Sequence, residues 1–231
     1  MTPSVNPSDA SAEGPDLIPH RLASAPTAQG MVVPFVTLAH RDRSRPVWGQ
    51  LDATRLRAAL VERLCQICGD PLDDPVVVYV RPADFLRGIA VEPATHRACG
   101  AYSTRACPML AGRIHRYNPV TRDRFARCQD PACTCRYWTR GEPEPAETPR
   151  EGQPADAWYE VEIALADYRL ADDPDTARSS AGVGIDLRHP TFRRIRRIRD
   201  AAPGTDDRQP VDPLAMLMVV RELFRDGGPF A

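Results

Sequence analysis

Residues 65–107, CQICGDPLDDPVVVYVRPADFLRGIAVEPATHRACGAYSTRAC, open with Cys-x-x-Cys-Gly and run to His-x-x-Cys before a last cysteine. Cys65 and Cys68 in so tight a turn set two thiolates side by side, and Gly69 supplies the backbone freedom to leave it. His96 and Cys99, three residues apart, would share one face of a helix and reach a common ion. Between the two pairs, Val76–Val80 and Gly88–Val91 read as strands joined by a turn at Pro82. Knuckle, hairpin and helix in that order form the layout of a treble-clef zinc finger, with Cys65, Cys68, His96 and Cys99 as ligands. Four protein ligands close a tetrahedral site, which braces a fold and leaves no position for substrate. Unligated buried cysteines are the plain alternative. A thioredoxin-like motif fits poorly, because Gly69-Asp70-Pro71 follows Cys68 where that motif has a helix.

Composition sets the bounds around this stretch. With 231 residues, 42% of them apolar, the chain has enough for a core, while 24 prolines point to irregular margins. The formal net charge is −1, which removes any global attraction to nucleic acid or to an anionic membrane. There is no lysine: all 30 basic residues are arginine, the codon bias of a GC-rich genome. The cysteines number seven, and no apolar stretch has the length of a signal-peptide core or a membrane span. The expectation is a cytoplasmic protein with reduced thiols.

Taken in order, residues 1–29 are rich in Pro, Ser, Ala and Gly without periodicity, the composition of a disordered tail. A zinc-binding domain is expected over 30–140. It begins with a strand-like run, Met31–Leu38, and a helix from the cap Asp52 whose stripe is Leu56, Leu60 and Leu64. The helix after Cys99 should end near Cys107-Pro108. An acidic, proline-rich linker covers 141–156, and an α+β region follows over 157–231. Ala157–Leu165 and Ala181–Leu187 read as paired strands, and His189–Arg199 fits a short basic helix or a bent strand. Asp212–Arg225 reads as a helix, with Pro213 near its start, Gly227-Gly228 after it and apolar residues on much of its surface, suited to a core or a homo-oligomer contact. The fold class is therefore α+β.

Cys128, Cys133 and Cys135 form a second cluster, which suggests a second metal site completed by Cys107 or His115. A turn with reduced cysteines, or a disulfide formed under stress, is the simpler alternative. Cys107 itself lies about 12 Å along the helix from Cys99 and cannot share the first ion. Its ordinary role is that of a small buried hydrophobe. Charge is segregated: eight arginines lie between Arg105 and Arg140, eleven acids between Glu142 and Asp175, and six arginines between Arg188 and Arg199. The acidic run is expected to lie across the arginine segment before it, leaving at most weak, salt-sensitive nucleic-acid binding.

At CQICG, HRAC and ACPML the chain resembles a family of uncharacterised, arginine-rich actinobacterial proteins that share a CxxCG, a later HxxC or CxxC pair and a following ACP. The resemblance covers about Pro34 to Leu110. It implies a zinc-bound domain with Cys65, Cys68, His96 and Cys99 as ligands and Cys107-Pro108 as a structural signature, and it carries no activity. Two function classes follow from the residues. One is a non-enzymatic binding or adaptor protein, braced by zinc, whose partner meets the arginine-rich surface. The other is a His-metal-finger (HNH-like) nuclease. That enzyme needs a general-base His on the hairpin, and Val76–Val91 offers only the acids Asp84 and, just beyond, Glu92.

Overall fold

The computed structural model describes residues 17–117, 127–138, 152–173 and 181–204. Residues 1–16, most of the linker and the expected helix at 212–225 lie outside that set. The described elements run β1 (Thr27–Ala28), β2 (Met31–Val32), β3 (Thr37–Ala39), β4 (Pro46–Leu51), α1 (Ala53–Val61), β5 (Val76–Val80), α2 (Pro82–Arg87), β6 (Ile89–Ala90), β7 (Thr95–His96), α3 (Arg97–Ala106), β8 (Trp158–Ile163), β9 (Leu170–Asp172), β10 (Val183–Asp186) and β11 (Phe192–Arg199). Mixed helix and sheet is thus the class observed.

An unbroken apolar run such as Val-Val-Val-Tyr-Val suits a strand covered on both faces, and β5 is that strand. It lies inside the antiparallel sheet β11-β8-β5-β7, with every residue buried. Val76, Val78 and Val80 join the main core with Leu56, Leu60 and Phe85. Val77 and Tyr79 look the other way, towards Leu110 and Trp158. Strand β8 alternates in the same sense. Tyr159, Val161 and Ile163 enter the main core, while Trp158, Glu160 and Glu162 lie on the face of Val77 and Tyr79. The central sheet therefore takes strands from both sides of the linker.

Four sequence expectations are corrected here. The second half of the hairpin is not Gly88–Val91. Pro82 at the first turn, the cap pairing of Arg81 with Asp84, and Gly88 in the left-handed conformation make Pro82–Arg87 a short helix. Strand β5 pairs instead with β7, Val76 opposite His96. Residues 181–187 do not pair with β8. They supply β10, the middle of a separate sheet β6-β10-β9, where Gly184 is needed because a Cβ would lie 2.6 Å from the Ala90 carbonyl. Of the stretch assigned as a tail, 1–29, residues 17–29 are described and carry structure. His20–Leu22 form a 3-10 turn with Leu22 fully buried, and β1 pairs with β2. Pro34 breaks the expected strand 31–38 into β2 and β3.

The bent-strand reading of Phe192–Arg199 is the one observed. Register shifts after Phe192 and after Arg197 let a three-residue apolar spacing serve a strand. Phe192 and Ile195 pack on the main core, and Ile198 on the opposite cluster. The arginines between them meet acids of the sheet and of the bend before β5: Arg196 pairs with Glu160 of β8 at 2.8 Å and Arg193 with Asp74 at 2.9 Å. Acids of the 142–175 run thus face the second basic segment.

Candidate functional site

Helix α1 delivers the first cluster. Asp52 caps it by accepting from the Arg55 amide at 3.1 Å, and Arg63, at φ 56°, turns the chain into Cys65. The knuckle is closed by the Gly69 amide donating to the Cys65 carbonyl at 2.9 Å and the Cys65 amide to the Asp70 carbonyl at 2.8 Å. The amides of Ile67 and Asp70 point at the sulfurs of Cys65 and Cys68, both at 3.4 Å. Gly69 has φ 84°, and a Cβ there would lie 2.7 Å from the Phe35 ring, so both conformation and contact demand glycine. Gln66 ties this turn to the other ligand pair through its amide, which donates to the Ala94 carbonyl at 3.0 Å.

His96 and Cys99 approach from the β7–α3 junction. His96 is the extended N-cap of α3, with φ −67° and ψ 152°, so the two do not share one helical face as their spacing suggested. The His96 Nε2–H donates to the Pro71 carbonyl at 2.9 Å, which leaves the Nδ1 lone pair facing Cys68 Sγ at 3.4 Å and Cys99 Sγ at 3.8 Å. One ligand atom from each of Cys65, Cys68, His96 and Cys99 lies within 4.8 Å of the others. The site is enclosed: Cys65 and Cys99 are fully buried and His96 nearly so.

Three thiols at this separation cannot all ionise without a cation. Cys65 is held below the ordinary thiol range, first by the hydrogen bond from Cys68 and then by that from Cys99. Cys99 is pushed up, first through Cys65 and then Cys68. Burial lowers His96, but Cys68 and the Pro71 carbonyl outweigh it and the ring is raised.

A second cluster groups His40, Cys128, Cys133 and Cys135 within the same 4.8 Å limit. Its fourth member is neither Cys107 nor His115. Cys107 packs beside the Val77, Tyr79, Leu110 and Trp158 cluster. His40 follows β3 and sits 93 residues from Cys133, with Nδ1 3.7 Å from Cys133 Sγ. No short spacing could have exposed it; in the fold Trp138, beside the cysteines, packs against its ring, tilted, at 5.0 Å between centroids. Cys128 Sγ and Cys135 Sγ are 3.5 Å apart, too far for a disulfide. Burial raises the Cys133 thiol, yet the amides of Cys135 and Arg41 and the His40 ring bring it below its ordinary range.

The chemistry of both donor sets, three thiols and one imidazole, suits a tetrahedral ion bound without an open position. The two nuclease acids are otherwise engaged. Both oxygens of Asp84 are bound by Arg81, at 2.9 and 2.8 Å, and burial raises the Glu92 carboxyl, only partly offset by Arg81.

Arg97, beside His96, reaches across to Glu162 of β8 at 2.8 Å. That hydrogen bond holds the Glu162 carboxyl below its ordinary range, against burial. A depressed folded value contributes stability above the unfolded value of about 4.3, and the contribution fades as pH falls through the folded one. The urea midpoint of Glu162→Gln is therefore expected below that of the wild type at pH 7, with the gap holding down to about pH 5 and closing only as pH falls below about 4.3 and through the folded value. A gap that stays constant well below about pH 4 would contradict the pairing.

The chain is thus a protein of mixed helix and antiparallel sheet with two Cys/His clusters that could hold metal ions. No protein-family profile, curated protein or solved structure matches it. Among the described residues, no helix is long and apolar enough to cross a membrane.

Proposed function

We propose that both clusters bind zinc and that the protein is a zinc-braced, non-enzymatic binding module. The observation that carries this reading is the pair of Cys/His sets, each with three cysteines and one histidine converging from separate parts of the chain. Knuckle, β5, β7 and α3 follow a treble-clef order in which α2 and β6 are an insertion between the two strands. The sequence resemblance at CQICG, HRAC and ACPML supports the same zinc domain. The nuclease alternative loses its basis, since its continuous hairpin is replaced by α2 and Asp84 is committed to Arg81.

The partner is expected to read arginine. Most of β11 is spent on internal ion pairs, so its run of charge acts chiefly within the fold. Elemental analysis of the purified protein tests the metal assignment. Near two zinc ions per chain are expected, falling to one in His40→Ala with the main thermal transition retained, because the second site's cysteines lie outside the sheet and the main core. Metal-free wild type, or two ions still bound by His40→Ala, would overturn it. Absence of DNA cleavage with added magnesium or manganese checks the non-enzymatic part.

A further inference from the structure

Beside the first cluster, with Cys68 in its lining, lies a cleft of about 220 Å³ whose cationic wall is Arg21, Arg43 and Arg55 and whose floor is Val33, Phe35 and Ile67. We infer that this cleft binds a phosphate group, gripped by the guanidinium groups of Arg43 and Arg55. The inference rests on the binding-module reading above and names the chemistry its partner presents.

The geometry is built by the same segments that carry the metal ligands. The Phe35 and Val36 amides donate to the Ile67 and Gln66 carbonyls of the knuckle, at 2.9 and 3.2 Å. The Arg43 amide donates to the His40 carbonyl at 2.8 Å, placing Arg43 one turn beyond a ligand of the second cluster. Arg43 holds φ 59°, a left-handed conformation costly for a side chain other than Gly, Asn or Asp. Such an outlier invites a functional reading. Its Nη2 donates to the Pro34 carbonyl at 2.5 Å, and Arg55 Nη1 to the Phe35 carbonyl at 3.3 Å, which aims both forks into the cleft. Arg55 also stacks over the Phe35 ring at 5.1 Å.

What is missing is a counter-charge. Arg21 has one, Asp73 at 2.7 Å. Among the described residues, no carboxylate forms an ion pair with Arg43 or Arg55. Asp70 lines the same cleft beside Cys68 and forms no ion pair with either arginine. Arg43 is brought down to about 10 by burial first and by the charge of Arg55 second, with Asp52 only partly opposing. Two planar donors held together against their mutual repulsion are satisfied best by a compact, multiply charged oxyanion, and guanidinium forks match phosphate oxygens two at a time. The volume admits a phosphate with a small attached group.

Calorimetric titration of the zinc-loaded protein with inorganic phosphate, a 5′-mononucleotide and a short single-stranded oligonucleotide tests the assignment and separates its sources. Saturable binding of at least one probe is expected, weakened about tenfold or more in R43Q/R55Q and unchanged in R169Q, an exposed arginine before β9. Free phosphate alone points to a small ligand, and preference for the oligonucleotide to a nucleic-acid backbone. In wild type, the Nε–Hε resonances of Arg43 and Arg55 are expected to shift with phosphate, a readout that does not depend on the variant folding. No saturable binding of any probe, equal binding by R43Q/R55Q, or shifts confined to other arginines would overturn the inference. Zinc content is measured on the same samples, so a failed metal assignment is distinguished from a fully metallated protein that ignores phosphate.

Discussion

Stripping metal from the Cys65, Cys68, His96 and Cys99 centre is expected to unfold the central sheet and core, with loss of the cooperative thermal transition. Zinc bound by such a set contributes on the order of 10 kcal/mol, while a whole domain is stable by about 5–15 kcal/mol. The centre joins α1, the turn before β5 and the start of α3, so its ligands hold together the three segments that cover the sheet. Cys65→Ala or Cys99→Ala should reproduce the effect of a strong chelator. Cys107→Ala should cost only about 1 kcal/mol, since it removes a small packing group. Calorimetric melting with and without chelator decides the matter. A metal-free protein that melts cooperatively at the holoprotein temperature would show that the thiols are packing residues.

The second large effect is expected far from either cluster. Asp84→Ala should lower stability by about 3–5 kcal/mol, because it strands a buried arginine. The Arg81 and Asp84 side chains are only 5% and 0% exposed, bridged at 2.8 Å, and Arg81 also lies 5.3 Å from the centroid of the Trp158 ring. Burial disfavours the Arg81 charge, and Asp84 reverses that and raises it. Asp84 further accepts from the Arg81 amide at 2.9 Å, so its loss also frays the start of α2. Replacing both residues with apolar ones of similar size should restore much of the difference, since the cost lies in the unpaired charge. Urea unfolding of the single and double variants is the measurement. A loss under about 1 kcal/mol for Asp84→Ala would place the pair with ordinary surface bridges.

How legible each of these features was depends on how far apart its parts lie in the chain. The knuckle, the cap at Asp52, the all-apolar β5 and the end of α3 near Cys107 could be read directly, because each is set by contacts within a few residues. The four residues of the first cluster were legible for a related reason: two short motifs, CxxC and HxxC, each place their own pair. Residues 82–88 misled because a six-residue helix has no period to display, and its signal is only proline at the start and glycine at the end. Period three in Phe192–Arg199 was equally ambiguous, and bulges imposed by pairing with β8 settled it as strand.

What the amino-acid order determined by itself was local: which segments turn, which are covered on both faces, and which cysteines stand close enough to share an ion. The partners of those segments were decided only in three dimensions. Strand β8 lies beside β5 because Tyr159, Val161 and Ile163 complete the layer begun by Val76, Val78 and Val80. His40 meets Cys128, Cys133 and Cys135 because the segment between β2 and β3 is gripped by the knuckle through Phe35 and Val36, which carries β3 and His40 to that side of the fold. Arg43 and Arg55 come together on the same support. Encounters of this kind follow from packing and hydrogen bonding over long chain separations, and no spacing within a single stretch encodes them.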